Sequence, residues 1–318
     1  MGNLEFDKSP LSKVKDTYHK QGYRFLGRNQ HSATKICRWT KESLRTNRVC
    51  YKELWYPPVE SHRCMQMTPN LSCNYHCLYC WRLHSGDRLN VREKQFPLEV
   101  ELDEPNEIIK DAVEKRRNLL IGFKGNSSVD EKRVEEALKP TMMTMSLTGE
   151  PTLYPRISEL VLEAERMGII TFLVTNGTMP NVLETMDYLP FQLYVSVSAP
   201  DKSIHNKLTR PQIKNGWENL NRTLELLPSL QTRKVIRLTV IKGWNTTNNS
   251  GYADLIEKAE PNFIEVKAYE WVGASQKRLP KEAMPFMKDV RLFAKRISEL
   301  TGYQIKEEYE PSGAILLA

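Results

Sequence analysis

The chain has 318 residues, 40% of them hydrophobic and 27% charged, which is the composition of a folded globular protein rather than a disordered one. No apolar run approaches the roughly 20 residues that a membrane-spanning helix needs, which excludes a helical membrane protein. Most of the net charge of +7 lies in residues 1–60, where 12 Lys and Arg outnumber 6 Asp and Glu.

The basic segment 1–60 is also rich in aromatic side chains. Lys and Arg neutralise phosphates and aromatic rings stack on unpaired bases, so this composition predicts a surface that binds nucleic acid. A solvated basic face with ordinary core aromatics is the alternative, and composition alone does not decide. The N-terminal sequence MGNLEFDKSP lacks the apolar stretch of a secretory signal, so a cytoplasmic protein without membrane association is expected. The aromatic residues are Tyr18, Tyr23, Phe25, Trp39, Tyr51, Trp55 and Tyr56.

After residue 60 the chain alternates between short buried strands and amphipathic helices. The predicted strands are 62–69, 142–147, 170–177, 191–199, 234–242 and 262–269. The predicted helices are 104–118, 157–168, 181–189, 214–227, 251–260 and 284–300. Helical crossovers require a parallel sheet, because parallel neighbours cannot be joined by tight turns. Six such units form either an open doubly wound sheet or an incomplete β/α barrel, and the pattern does not choose between them.

Polar clusters follow the first four predicted strands. Because the carboxyl ends of parallel strands meet at one edge, these clusters predict a single concave site. Each cluster alone is also a good turn sequence, but four in register favour a site over turns. The clusters are the three-cysteine loop, then Thr148, Gly149 and Glu150, then Thr175, Asn176 and Gly177, and finally Ser196, Val197 and Ser198.

All six cysteines lie between positions 37 and 80. In a cytoplasmic chain of this size, clustered cysteines are metal ligands more often than disulfides. Cys73, Cys77 and Cys80 are spaced C-x3-C-x2-C, which fits poorly with the two ligand pairs of a structural zinc site. A [4Fe–4S] cube held by three thiolates keeps one iron open, and an open iron binds a small molecule.

This spacing after the first strand of a β/α barrel, with aromatic Tyr79 before the third cysteine, resembles the signature of radical S-adenosylmethionine enzymes. The resemblance implies a partial (β/α)6 barrel and an open iron that chelates the methionine part of S-adenosylmethionine. One electron then cleaves the sulfonium to a 5′-deoxyadenosyl radical. The family's Gly-Gly-Glu-Pro motif is matched by residues 148–151, with Thr148 in place of the first Gly. Asn176, Ser196 and Ser198 stand where the family contacts ribose and carboxylate.

The other three cysteines, Cys37, Cys50 and Cys64, are separated by 12 and 13 residues. Three unrelated buried thiols would be the plainest explanation. All three, however, precede the first cluster and lie in or just after the basic aromatic segment. We therefore predict a second metal site from these residues.

Three sequence stretches indicate one family within the radical S-adenosylmethionine enzymes: CLYCWR (77–82), SLTGEPTLYP (146–155) and VKAYEWVGASQKRL (266–279). With two cysteine trios, they resemble the tRNA 4-demethylwyosine synthase family over nearly the whole chain from Gly22. That resemblance implies condensation of N1-methylguanosine, next to the anticodon of phenylalanine tRNA, with two carbons of pyruvate. It also implies two [4Fe–4S] clusters, of which the auxiliary one is held by the upstream trio and binds pyruvate.

The resemblance further implies a lysine that captures the keto group of pyruvate as a Schiff base. Lys41 is the candidate, four residues after Cys37, because Arg38 and Arg45 nearby would lower its pKa. A surface lysine that contacts tRNA phosphate is the equal alternative.

We expect residues 1–60 to be a basic extension that holds the auxiliary cluster and contacts tRNA, and residues 61–318 to be the barrel. Arg210, Lys277 and Arg278 follow later elements and are expected to join the tRNA rim. A monomer is expected, with electrons from an external flavodoxin-like or ferredoxin-like donor, since the chain has no room for the reductase domain of eukaryotic relatives. The rivals are another two-cluster radical enzyme with a different substrate and a non-catalytic zinc-bearing RNA-binding protein.

Overall fold

Six parallel strands form the centre of one sheet and follow one another across it in chain order. The computed structural model describes residues 10–83 and 101–318, in which this sheet has ten strands. They are β1 (Arg24–Leu26), β2 (Ser32–Lys35), β3 (Cys64–Thr68), β4 (Met142–Met145), β5 (Ile170–Thr175), β6 (Gln192–Ser196), β7 (Arg233–Val240), β8 (Phe263–Ala268), β9 (Ile305–Tyr309) and β10 (Ala314–Leu317). Strands β3 to β8 confirm the six predicted strands.

The helices of the described residues include the six that the sequence predicted and five that it did not. The predicted helices are α4, α6, α7, α9, α10 and α11, and the additional ones are α1, α2, α3, α5 and α8. Their bounds are α1 (Pro10–Lys20), α2 (Arg38–Arg45), α3 (Tyr51–Trp55), α4 (Pro105–Ile121), α5 (Glu131–Ala137), α6 (Ile157–Arg166), α7 (Pro180–Glu184), α8 (Lys202–Thr209), α9 (Gly216–Leu226), α10 (Asn249–Ala259) and α11 (Met287–Thr301).

The sheet is an incomplete barrel rather than a doubly wound sheet. Its strand order is β1-β2-β3-β4-β5-β6-β7-β8-β10-β9, and β3 through β8 pair in parallel. Antiparallel strands continue both edges: β2 pairs with β3, and β10 pairs with β8. The parallel strands keep their chain order across the sheet, which matches the predicted partial (β/α)6 barrel, and five crossovers bring six strand ends to one face.

The outer face of the sheet packs against the crossover helices. Ile108 of α4, Leu160 of α6 and Phe293 of α11 are buried in one apolar cluster with Leu173 and Leu193 of the central strands. The helical positions recur every three or four residues, as expected for helices that present one apolar face to a sheet. This cluster is the main hydrophobic core and holds the strand ends in place.

The inner face packs against the short helix α3. Tyr51, Trp55 and Tyr56 are buried with Phe172 and Tyr194, which belong to β5 and β6. Side chains alternate along each strand, so the inner face carries its own set of residues that never meet the crossover helices. Helix α3 thus lies inside the barrel and carries the residues between Cys50 and Tyr56 with it.

Strands β1 and β2 continue the sheet beyond β3, with Ala33 opposite Thr68 and Lys35 opposite Gln66. The N-terminal part of the chain is thereby hydrogen-bonded to the barrel sheet, and the division into 1–60 and 61–318 stays a prediction. Within the described ranges, every helix is too short or too polar to cross a bilayer.

Candidate active site

A cavity of about 430 Å³ opens at the carboxyl ends of the parallel strands. Strand ends from β3 to β8 converge on it, so residues far apart in the sequence share its walls. Most of the predicted ligand residues line it: Cys73, Tyr79, Cys77, Cys80, Gly149, Glu150, Asn176, Ser196 and Ser198. The predicted convergence of the strand-end clusters is therefore present in the structure.

The three-cysteine loop lies against helix α8. The His76 amide donates to the Thr209 carbonyl at 3.0 Å, and the Leu78 amide donates to the Leu208 carbonyl at 2.8 Å. The Tyr75 hydroxyl is 2.9 Å from Nε2 of buried His205. These bonds fix the loop backbone between Cys73 and Cys80, which both line the cavity.

The thiols of this loop form no disulfide and are close enough to act on one another. Burial raises the pKa of Cys77 to about 12, and the Cys80 thiol adds to the rise. Burial, Cys77 and Glu150 raise the pKa of Cys73 well above its ordinary value. Three neighbouring thiols are a donor set that a cationic iron cube would convert to thiolates.

Glu150 joins the second and third strand ends. Its carboxylate accepts bonds from the Thr175 hydroxyl at 2.6 Å and from the Asn176 amide at 2.7 Å. Burial raises the pKa of Glu150, and these donors act against that rise. The Glu150 amide in turn donates to the Ser72 carbonyl at 2.7 Å, next to the cysteine loop. One buried carboxylate thus sets the relative position of three loops.

Gly149 is required at this junction. Its φ is +70°, and a Cβ there would lie 2.1 Å from the Asn70 carbonyl oxygen and 2.6 Å from that of Ser72. Only glycine accepts both the left-handed backbone and so close an approach of the neighbouring loop.

Two further bonds link polar residues across the cavity. The Tyr79 hydroxyl donates to the Ser198 hydroxyl at 2.7 Å, which joins the cysteine loop to the end of β6. The side-chain amide nitrogen of Asn176 donates to the side-chain oxygen Oδ1 of Asn74 at 2.8 Å. Polar groups from four strand ends therefore form one connected wall.

The second trio assembles from three separate elements. Cys37 precedes α2, Cys50 precedes α3 and Cys64 begins β3. Burial raises the pKa of Cys50 to about 12, and the Cys37 and Cys64 thiols contribute to the rise. Burial and the Cys37 thiol likewise raise the pKa of Cys64. The fold brings these widely spaced cysteines together as neighbours.

Each trio has the donor chemistry of an iron–sulfur cube. Within residues 10–83 and 101–318, no three His, Cys, Asp or Glu side chains converge tightly enough to hold a single metal ion. A cube places its thiolates on different irons, so its ligands lie farther apart than those of one ion. Thiols that interact with one another, form no disulfide and do not converge on one ion fit the cube.

Lys52 lies inside the barrel, two residues after Cys50. Its Nζ is 4.8 Å from the centre of the Phe172 ring and 4.6 Å from that of Tyr194. Burial lowers the pKa of Lys52, and the Arg237 guanidinium lowers it further, against the opposing effects of Glu265 and the nearby thiols. Burial of an amine among rings and a second cation favours its neutral, nucleophilic form.

A buried charge cluster surrounds this lysine. Arg237 pairs with Glu265 at 2.8 Å, and Glu265 is fully buried. The Tyr51 and Tyr56 hydroxyls each donate to Glu265 at 3.0 Å. Arg237 also lines the cavity, so the lysine environment and the strand-end site share a wall.

Two family models match the chain: radical SAM superfamily over residues 67–248, and wyosine base formation over residues 258–318. An S-adenosylmethionine-dependent tRNA 4-demethylwyosine synthase of Pyrococcus horikoshii is 46% identical over 96% of this chain and 88% of its own length. The chain belongs to the tRNA 4-demethylwyosine synthase family of radical S-adenosylmethionine enzymes.

Other relatives agree with this assignment to the tRNA 4-demethylwyosine synthases. The human enzyme TYW1 is 36% identical over 96% of this chain, which spans 41% of that longer protein. A structure of TYW1 with a lysine-pyruvate adduct bound superposes with a TM-score of 0.84 at 31% identity, covering 96% of this chain and 95% of that one. The crystal structure of archaeal TYW1 gives a TM-score of 0.76 at 30% identity over the same shares.

Two residues predicted by resemblance to the tRNA 4-demethylwyosine synthases do not line the cavity. Thr148 is buried beside it, and its carbonyl accepts a bond from the Thr68 hydroxyl. Lys41 is exposed on α2. Lys52 was missed because the sequence shows a lysine in a short basic segment, although its aromatic neighbours Tyr51 and Trp55 were a usable signal of burial.

Two of the three residues expected at the tRNA rim are exposed, and the third binds the cysteine loop. Arg210 and Lys277 are exposed, as a phosphate contact requires. Arg278 instead donates to the carbonyls of Leu78 at 3.3 Å and of Cys80, so it stabilises the cysteine loop. A sequence pattern cannot distinguish a cation that binds phosphate from one that binds a nearby backbone.

Proposed function

We propose that the chain converts N1-methylguanosine of phenylalanine tRNA to the tricyclic 4-demethylwyosine base, with two carbons taken from pyruvate. The observation that carries this proposal is the arrangement of two thiol trios on one barrel, with the buried amine of Lys52 near Cys50 and Cys64. The family assignment supports the same reaction. We expect the enzyme to work in the cytoplasm.

In this proposal Cys73, Cys77 and Cys80 hold one [4Fe–4S] cluster, and that cluster supplies the electron that cleaves S-adenosylmethionine. The residues of the cavity wall bind and orient S-adenosylmethionine. Backbone groups at Gly149 and Glu150 bind the amino acid part of the cofactor, and the side chains of Asn176, Ser196 and Ser198 orient its ribose and carboxylate. Tyr79 and Ser198 are held against each other by their hydrogen bond, so they define one fixed side of the pocket.

Cys37, Cys50 and Cys64 hold the auxiliary [4Fe–4S] cluster in this proposal. Three thiolates leave one coordination position for pyruvate. The Cys64 thiol is 3.7 Å from the Thr144 hydroxyl, which belongs to the neighbouring strand and faces the barrel interior. This trio is thereby directed toward the same interior as Lys52 rather than toward solvent.

Lys52 replaces Lys41 in this proposal as the residue that binds pyruvate covalently. The related structure with a lysine-pyruvate adduct supports a lysine at the site. The neutral amine of Lys52 forms a bond to the keto carbon, and the keto oxygen leaves as water with both amine protons, which gives an imine. Exposed Lys41 lies on the surface of α2, where contact with tRNA phosphate is the better explanation.

The electron donor is a separate flavodoxin-like or ferredoxin-like protein in this proposal, and the basic N-terminal segment binds the tRNA backbone. A methylated base in a tRNA loop must be splayed out before its methyl group reaches the cavity. The mouth of the cavity lies next to Trp81, whose ring is 4.7 Å from the Arg82 guanidinium and 5.6 Å from Nζ of Lys35. That combination of ring and cations suits an unpaired base.

The test is anaerobic turnover with S-adenosylmethionine, pyruvate and N1-methylguanosine tRNA, read by mass analysis of the nucleosides. The tricyclic base is expected only when all three are present, and unmethylated tRNA is the control. Cleavage of S-adenosylmethionine without the tricyclic base would instead support another two-cluster radical enzyme. A colourless protein that contains zinc would support the non-catalytic RNA-binding alternative.

A further inference from the structure

Arg116 of helix α4 is a fully buried guanidinium next to the second cysteine trio. It is 1% exposed and is the largest fully buried side chain among the described residues. Its Nε donates to the carbonyl of Cys64 at 3.3 Å, and its Nη2 donates to the carbonyl of His62 at 2.7 Å. Its Nη1 donates to the Ala137 carbonyl at the end of α5. One arginine therefore contacts the backbone of the trio's last cysteine.

All three acceptors are neutral carbonyls, and no carboxylate in residues 10–83 and 101–318 pairs with Arg116. A charge buried without a counter-ion is strongly unfavourable, so such groups are paired with an opposite charge or bound to a metal centre. One of the three contacted carbonyls belongs to Cys64, so the guanidinium lies beside the thiol trio that Cys64 completes. The compensating anion must therefore come from the thiol side.

We propose that Arg116 is the internal counter-ion of the auxiliary cluster held by Cys37, Cys50 and Cys64. This inference rests on the proposed function, because it requires that cluster. A cube of four irons with three thiolates is a net anion, and reduction adds one more negative charge. A fixed cation beside it in a medium of low dielectric stabilises the reduced form and raises the reduction potential.

The alternative is a purely structural role for Arg116. The carbonyl of Ala137 ends α5, and a cation at a helix carboxyl end is favourable in its own right. Arg133 offers a matched comparison, because its guanidinium also donates to backbone carbonyls near the trio, those of Ser43 at 2.8 Å and Thr46 at 3.4 Å. Arg133 is partly solvated and pairs with Asp130, so it lacks the buried, uncompensated charge.

The experiment compares Arg116→Gln, Arg116→Lys and Arg133→Gln with the parent chain by redox titration followed by electron paramagnetic resonance, with iron content measured in parallel. The signal that changes when S-adenosylmethionine is added belongs to the other cluster and is the internal reference. In Arg116→Gln we expect the reduced-to-oxidised ratio of the auxiliary cluster at a fixed potential to fall about tenfold, or about 59 mV for one electron. Arg116→Lys and Arg133→Gln should stay within about threefold of the parent, and the reference cluster should not shift.

The outcomes separate this inference from the proposed function. A parent chain with about four irons instead of about eight has one cluster, which overturns the proposed function. If the parent holds two clusters and the reduced-to-oxidised ratio of the auxiliary cluster is unchanged in Arg116→Gln, only the counter-ion role is overturned. If Arg116→Gln cannot retain the auxiliary cluster, retention in Arg116→Lys supports the charge, and loss in both variants identifies a structural brace and overturns the proposal.

Discussion

The Tyr51 hydroxyl donates a 3.0 Å hydrogen bond to the carboxylate of Glu265, although 214 residues separate the two in the sequence. Tyr56 donates to the other carboxylate oxygen at 3.0 Å. Although burial opposes it, Arg237 and Lys52 hold the pKa of Glu265 below its ordinary value. This carboxylate therefore fixes helix α3 inside the barrel, and with it the positions of Cys50 and Lys52.

Replacing Glu265 with Gln should lower the free energy of unfolding by about 3–5 kcal/mol, because the change leaves Arg237 buried without its partner. Urea denaturation of the reconstituted protein measures this loss. Glu270→Gln is the control, since Glu270 pairs with Lys267 near the surface at 3.2 Å and should cost less than about 1 kcal/mol. Equal losses in the two variants would mean that Glu265 contributes no more than a surface ion pair.

Lys52→Arg should abolish the pyruvate adduct while leaving the iron content unchanged. Arginine keeps a long basic side chain over the Phe172 and Tyr194 rings, but a guanidinium does not form an imine with a keto acid. Reduction with borohydride in the presence of pyruvate, followed by mass analysis of peptides, detects the adduct. Lys41→Arg is the matched control and should retain both the adduct and turnover.

The opposite result would restore the prediction made from sequence. If Lys41→Arg removes the adduct and Lys52→Arg keeps it, the exposed lysine of α2 is the nucleophile. If both variants keep the adduct, neither lysine forms the imine with pyruvate.

The six parallel strands, their crossover helices and the three-cysteine loop were predictable because each has a local signal. Strands alternate with apolar helices at regular spacing, and Cys73, Cys77 and Cys80 lie within eight residues. The aromatic neighbours of Lys52 indicate burial, but no local signal places this lysine inside the barrel. Helix α3 is five residues long, and its burial depends on Glu265, whose own strand lies near the other end of the chain.

The same reasoning explains the other differences. Strands β1 and β2 are three and four residues long, too short for a periodic pattern, and they depend on pairing with β3. Arg278, predicted at the tRNA rim, instead binds carbonyls of the cysteine loop. This contact joins residues that are far apart in the sequence, so no local pattern could predict it. Local sequence therefore specifies the strand ends well, whereas residues that reach the site through distant contacts need the structure.

Gly149→Ala should weaken binding of S-adenosylmethionine at least tenfold. Both Gly149 and Gly125 have positive φ, +70° and +73°, so alanine at either position costs roughly 1–2 kcal/mol of backbone strain. Only at Gly149 does the new Cβ also meet backbone, the Asn70 carbonyl oxygen at 2.1 Å, whereas Gly125 has nothing within 4 Å. Isothermal titration of the reconstituted protein measures the affinity. Gly125→Ala should bind normally, and equal weakening in both variants would point to a general loss of stability.

The affinity for tRNA should fall steeply as salt rises, because phosphate contacts release bound counter-ions. Four such contacts would weaken binding about a hundredfold between 50 and 200 mM salt, as measured by filter binding. Helix α2 and the turn just after it present exposed Arg38, Lys41, Arg45 and Arg48, the most concentrated basic surface of the N-terminal segment.

The double variant Lys41→Gln/Arg45→Gln should therefore reduce the slope of log affinity against log salt by about 2, at roughly 0.9 for each phosphate that the variant no longer neutralises. Lys295→Gln/Arg296→Gln is the matched control, since it removes the same charge from exposed positions of α11. A control slope equal to that of the parent, together with a reduced slope for the α2 variant, would locate the phosphate contacts on α2. Equal slopes for both variants would mean that net charge alone, rather than this surface, attracts tRNA, and would leave Lys41 without its predicted phosphate contact.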